Sequence, residues 1–289
     1  MKFGVREICD VVFKAKADTK IGSKLFKKGQ PVLFIDSAKT STIEGAATTV
    51  YAQGGKGNTR LIAWEGEKTL TFTVEDALLS PIGFSVLSGA GLIKGEAELV
   101  HVHKTATAYA DENGTIDLTD VLGENEAIDE TAPVNVMVLE GGELEAAIEN
   151  LTVDGKTLTG SKVKGKAVFV DFYITKKSAN VSELQIDAAN FAGYYYVEAS
   201  TLFRRQADGV DMPAEITLPN VKIQSNFTFA MASTGDPSTF TFTMDAFPGY
   251  TFFDKTKKVL CVIQVVEDAE AGNATAKSVM LHDEEEIAE

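Results

Sequence analysis

The chain contains no run of about eighteen apolar residues, so no segment is patterned to cross a bilayer as a helix, and no membrane insertion is expected. Charges at Lys2, Arg6 and Glu7 interrupt the stretch where a secretion signal needs an apolar core, which predicts folding in the cytosol. There are two cysteines, Cys9 and Cys261, each between apolar neighbours. In a reducing compartment they read as small buried hydrophobes, not as a bridge. Five Asn-x-Ser/Thr sequons, beginning at Asn113, Asn150, Asn180, Asn226 and Asn273, then carry no meaning for glycosylation.

Signals for catalysis are also scarce. No Cys-x-x-Cys, His-Glu-x-x-His or Gly-x-Ser-x-Gly occurs. Only three histidines are present. His101 and His103 lie two apart, on one face if they sit in a strand, but the third, His282, is far along the chain. Two strand residues with no metal is the simpler account. Gly89-Ala90-Gly91 with Gly95 lacks the strand-turn-helix setting and spacing of a dinucleotide loop. Gly54-Gly55-Lys56-Gly57-Asn58 lacks the Ser or Thr that a phosphate-cradling loop places after its Lys. Acid pairs are too abundant for any two to stand out. No catalytic residue, cofactor or metal is assigned, and the chain is not expected to be an enzyme.

Basic residues are the minority: 27 Lys and Arg face 42 Asp and Glu, a net charge of -15. That balance argues against groove binding to duplex nucleic acid. The charge is uneven. Residues 1–45 hold nine Lys/Arg and five Asp/Glu, while 105–155 hold thirteen Asp/Glu and no Lys or Arg. Such an acidic run reads as a solvated face; the sharper alternative is a surface past which DNA slides without sticking.

What is abundant is period-two alternation. Leu70, Phe72 and Val74 alternate with threonines, as do Phe240, Phe242 and Met244; Val168, Val170, Phe172 and Ile174 alternate around Asp171 and Tyr173. Phe227, Phe229 and Met231 follow the same rule, which predicts a hairpin turning over 232–237. Asn113-Gly114 and Asp154-Gly155 are further turns, and Val259–Val266 reads as a strand buried on both faces. In Tyr194-Tyr195-Tyr196 the middle ring should oppose the outer two. One helix is expected from about Glu75 to Leu87, with Glu75, Asp76, Leu78 and Leu79 in its first turns and a break near Pro81. Weaker helical segments are expected at Glu143–Asn150 and Asp187–Phe191.

The residues from Asp36 to Arg60 are small and polar over a long span, with Ile43, Val50 and Tyr51 as apolar points and Gly54, Gly55, Lys56, Gly57 and Asn58 as a glycine cluster. They predict a loop that is either mobile or an arm ordered against a neighbouring subunit. The division expected is residues 1–98 with 179–270 as one β domain, 99–178 as an acidic inserted β-sandwich, and 271–289 as an acidic tail.

The order of these features resembles that of bacteriophage tail tube, or major tail, proteins. The likeness rests on the Thr/Gly-rich loop, on Gly54-Gly55-Lys56-Gly57-Asn58-Thr59-Arg60-Leu61-Ile62-Ala63-Trp64-Glu65-Gly66, and on Glu75-Asp76-Ala77-Leu78-Leu79-Ser80. The stretch from Gly235 to Pro248 is similar to virion structural proteins of phages infecting Gram-positive bacteria. The resemblance implies a mainly β fold, a tail-tube-type β-sandwich or barrel with one flanking helix; the 99–178 insertion, which resembles an immunoglobulin-like β-sandwich, departs from the smallest tube subunits. It implies hexameric rings that stack into a tube delivering DNA, made in the host cytoplasm and ending in the virion tail. Partners would be the chain itself and other tail proteins (sheath, terminator, baseplate or tape measure), with DNA as non-specific passing cargo. Ile43, Val50, Tyr51, Gly54 to Asn58 and Arg60 would form the inter-subunit arm. Alternatives kept open are a tail terminator, baseplate or capsid-decorating protein, and a surface module binding carbohydrate or host.

Overall fold

A computed structural model describes residues 2–93, 99–231, 233–234 and 238–267. Strands dominate it. The chain runs β1 (Phe3–Val5), β2 (Asp10–Ala15), β3 (Thr19–Ile21), β4 (Lys24–Phe26), β5 (Pro31–Ile35), β6 (Ala38–Gly54), β7 (Thr59–Asp76), α1 (Pro81–Ser88) and β8 (Gly91–Ile93). It continues with β9 (Leu99–Tyr109), β10 (Thr115–Asp117), β11 (Asn135–Glu140), β12 (Glu143–Ala147), β13 (Thr152–Asp154), β14 (Thr157–Thr159), β15 (Ala167–Lys177) and β16 (Glu183–Gln185). The last four are β17 (Tyr194–Arg205), β18 (Asp211–Ile223), β19 (Phe240–Ala246) and β20 (Val262–Val265). Two compact units result, Met1–Gly91 with Ile186–Glu289, and Leu92–Gln185.

The first unit is built on a nine-stranded antiparallel sheet in the order β5-β2-β17-β18-β19-β7-β6, where β1 pairs with β17 and β20 with β18. Alternate residues of its strands fill the core, among them Phe13, Phe72, Val74, Val197, Leu218, Phe242 and Met244. The threonines between them face outward, so period two and burial agree. Tyr195 and Tyr196 are both buried, the second against Phe252 at 4.2 Å, while Tyr194 is exposed. A register shift between Tyr195 and Val197 breaks the simple alternation expected there.

The helix differs from expectation. Glu75 and Asp76 end β7, and Leu78 and Leu79 lie in the connection that follows. Ser80 is the N-cap: its hydroxyl accepts a hydrogen bond from the Gly83 amide at 2.9 Å, and Pro81 opens the helix instead of breaking it. Pro lacks only an amide that the first turn leaves unpaired anyway. Gly89 closes α1 at φ 77°, where a Cβ would lie 2.3 Å from the Phe191 carbonyl carbon.

Four other segments depart from the pattern reading. Residues 224–230 form no strand; Phe227 and Phe229 instead meet Phe84 of α1 at 4.9 and 5.1 Å. Their alternation reflects packing on a helix, and part of the turn expected at 232–237 lies outside the described residues. Residues 143–147 are the exposed strand β12, and 187–190 are held by the Asp187 carboxylate, which accepts from the Ala189 and Asn190 amides at 2.7 Å, not by a helical turn. The strand expected at 259–266 shortens to β20, which leaves Ile263 and Val266 exposed. Both cysteines are free thiols.

The second unit closes a four-stranded sheet, β12-β11-β15-β9, and a three-stranded sheet, β10-β14-β13, over one core of its own. Ala106, Val136, Val168, Val170 and Phe172 come from the first sheet, and Ile116 and Leu158 from the second. Gly155, at φ 57°, makes the two-residue turn between β13 and β14. Among the described residues no helix is long and apolar enough to cross a membrane.

Candidate functional site

The segment expected to be a loop is a hairpin. β6 and β7 pair antiparallel from Ala38↔Asp76 to Gly54↔Thr59 and turn at residues 55–58. Gly55 and Gly57 adopt φ 78° and 88°, Asn58 φ 50°, and the Asn58 amide donates to the Gly55 carbonyl at 3.2 Å. Only the lower part belongs to the sheet, because β19 pairs with β7 from Thr71 to Asp76 and no farther. From Leu70 out to Thr59, the twelve residues of β7 have β6 as their sole sheet partner among the described residues. At about 3.3 Å per residue this ribbon projects roughly 35 Å.

The base is fastened by polar side chains. Ser37 donates to the Asp76 carboxylate at 2.5 Å, and the Leu78 amide donates to the same oxygen at 3.3 Å. Hydrogen bonds from Thr239 and Thr40 hold the Glu75 carboxyl below its usual range. Glu75 and Asp76 therefore anchor the hairpin rather than a helix.

The distal half changes character at a bulge. Thr48 has no partner in the register; its hydroxyl accepts the Glu67 amide at 2.9 Å, and a Cβ on Gly66 would sit 2.5 Å from that hydroxyl. The insertion shifts the parity of β7. Past it, the cross-strand pairs Val50↔Trp64 and Ala52↔Ile62 share one face, and Tyr51↔Ala63 the other. Val50, Leu61, Ile62 and Trp64 are each more than half exposed. On the other face the Arg60 guanidinium lies 4.1 Å from the Tyr51 ring centre.

Of the residues expected to form an arm, Val50, Tyr51, Gly54, Gly55, Lys56, Gly57, Asn58 and Arg60 come together in this distal half. Ile43 does not: it pairs with Phe72 at the half-buried base. Leu61, Ile62 and Trp64 were absent from that set. The signal for them was the β-favouring run Leu61-Ile62-Ala63-Trp64 directly after a Gly-Asn turn.

Two features leave the ribbon open among the described residues. A two-stranded hairpin is marginally stable alone in water, and this one carries apolar side chains that stay more than half exposed among the described residues. The outer edge of the seventeen-residue β6 also presents unpaired backbone groups, whereas the opposite edge strand, β5, is five residues long and begins with Pro31.

His101 and His103 do not share a site, and His282 lies outside the described residues. His101 Nδ1 lies 2.7 Å from Asp129 and His103 Nε2 2.5 Å from Asp171, two separate pairs on the outer face of the second unit. Among the described residues no group of three or more His, Cys, Asp or Glu side chains could hold a metal.

The model of the YomU/Tube protein family matches residues 3–262, a span that takes in both units and the whole hairpin. No curated protein matches the chain.

Proposed function

The chain belongs to the YomU/Tube protein family, and on that footing we propose that it is a structural subunit of a bacteriophage tail tube. Copies associate through the β6–β7 hairpin into closed rings, hexameric as in tail tube subunits generally, and the rings stack around a channel for DNA. The observation that carries this reading is the uncovered distal hairpin with its apolar face and open edge. A subunit that continues its sheet into a neighbour covers both at once, and ring closure leaves no edge exposed. Residues 92–185, with a separate core and the acidic stretch 105–155, decorate the assembly. Other tail proteins meet the tube at its ends and surface. The virion tail is the place of action, after synthesis in the host cytoplasm.

Val50, Leu61, Ile62 and Trp64 are a little over half exposed, so covering them contributes about 1–2 kcal/mol each, or about 4–8 kcal/mol together. Immobilising a subunit costs roughly 4–15 kcal/mol. One hairpin contact is therefore marginal, and a closed ring, in which every subunit both gives and receives a hairpin, is favoured.

Negative-stain electron microscopy of the concentrated protein tests the proposal. Rings or hollow tubes of uniform width are expected from the unaltered chain. The double variant Ile62→Asp, Trp64→Asp should keep the same circular dichroism and remain monomeric. Monomers from the unaltered chain, or tubes from the variant at the same concentration, would sink the reading.

A further inference from the structure

A cleft of about 510 Å³ opens on the outer face of the first unit, where β17, β18 and β20 run side by side under the segment 250–259. The register places Thr217 between Glu198 and Val262, and Glu215 between Ser200 and Gln264, so these side chains share one face. Tyr196 and Phe253 form aromatic walls. Phe253, at the rim, is 96% exposed, an apolar ring with no described residue over it.

The two carboxylates differ. Glu198 is paired with Lys14. Glu215 has no hydrogen bond or ion pair among the described residues, and burial, then the charge of Glu198, raises its pKa, with Lys14 opposing weakly. Asp254 is held by Thr256, and Lys257 stands at the edge. Thr217 is nine-tenths buried, makes no side-chain bond among the described residues, and lines the same space. A half-buried carboxylate without a partner, beside an open aromatic ring, suits a cation that brings an aliphatic stem.

The opposite chemistry sits at the tip of the hairpin. Lys56 is exposed, makes no ion pair among the described residues, and stands between two glycines whose added Cβ atoms would meet nothing within 4 Å. The tip is therefore slim as well as cationic. Arg60, the other cation of the distal half, is already placed over Tyr51.

We propose that the Tyr196–Glu215–Phe253 cleft receives Lys56 from a second copy of the chain, with the ammonium against the Glu215 carboxylate and the stem along Phe253. The inference rests on the assembly reading above and assigns it a receptor. It names a lock between copies, distinct from the apolar face that drives association.

Charge exchange tests it, with the critical concentration for tube formation as readout. Lys56→Glu and Glu215→Lys should each raise that concentration at least tenfold, and the double variant should return to within about threefold of the unaltered chain. Glu215→Gln, which keeps the shape, guards against misfolding and should raise it several-fold. Carbodiimide cross-linking of tubes mixed from unlabelled and ¹⁵N-labelled protein should join Lys56 of one isotope to Glu215 of the other. Tubes at unchanged concentration from both single variants, no recovery in the double variant, or cross-links of Lys56 to other acids only would overturn the lock while leaving assembly intact. Failure of the unaltered chain to assemble would instead count against the assembly reading itself.

Discussion

At the scale of single residues, two positions show how local geometry is converted into stability. Gly89 ends α1 in the left-handed region with the Phe191 backbone against it. Gly89→Ala combines backbone strain with that close approach, so a loss of at least about 2 kcal/mol is expected in urea unfolding. In the second unit Glu126 accepts hydrogen bonds from Lys104, Lys176 and the Gly123 amide, which lower its pKa to about 2. A carboxyl depressed in the folded state stabilises above its unfolded value, here the ordinary 4.5, and that contribution is lost as pH falls toward 2. Thermal melts should therefore show stability declining across this window. Glu126→Gln should lower stability at pH 7 and flatten the decline; an unaltered slope would show that other carboxylates set it.

Elements differed in how far they could be read from sequence, and the reason is burial. Leu70–Val74, Val168–Ile174 and Phe240–Met244 are each covered on one face, so their alternation is a direct record of the strands β7, β15 and β19. Among the described residues the distal hairpin is covered on neither face. Without a buried side there is no period to read, and small polar residues looked like a loop. The helix was displaced because Glu75 and Asp76 favour a first helical turn locally, while the β19 and β6 ladders claim them as strand. Since the arm is a ribbon, shortening it must remove both strands together. Replacing residues 46–69 by Asn-Gly, which keeps the Gly45↔Leu70 pair, should give a monomer whose melting temperature stays within a few degrees of the full chain. A steep fall in that temperature would mean that the ribbon stabilises its own subunit.

For the whole molecule, the separate cores make a prediction about folding. Residues 92–185 hold thirteen fully or nearly buried apolar residues in one cluster, and expressed alone they should give dispersed amide resonances and a cooperative melt. A disordered spectrum would show that this unit needs the first. What the sequence by itself determined was the chemistry of a mainly β chain: half-buried strands, a surplus of acid concentrated in one stretch, and no catalytic motif. These follow from composition and from patterns spanning a few residues. Tertiary structure alone decided which strands lie side by side, that β6 and β7 leave the sheet together, and that Val50, Ile62 and Trp64 share an uncovered face. It also decided that Glu198 and Glu215 meet in one cleft. Those are questions of register between segments far apart in the chain, and a one-residue shift, such as the bulge at Gly66, moves every later side chain to the other face.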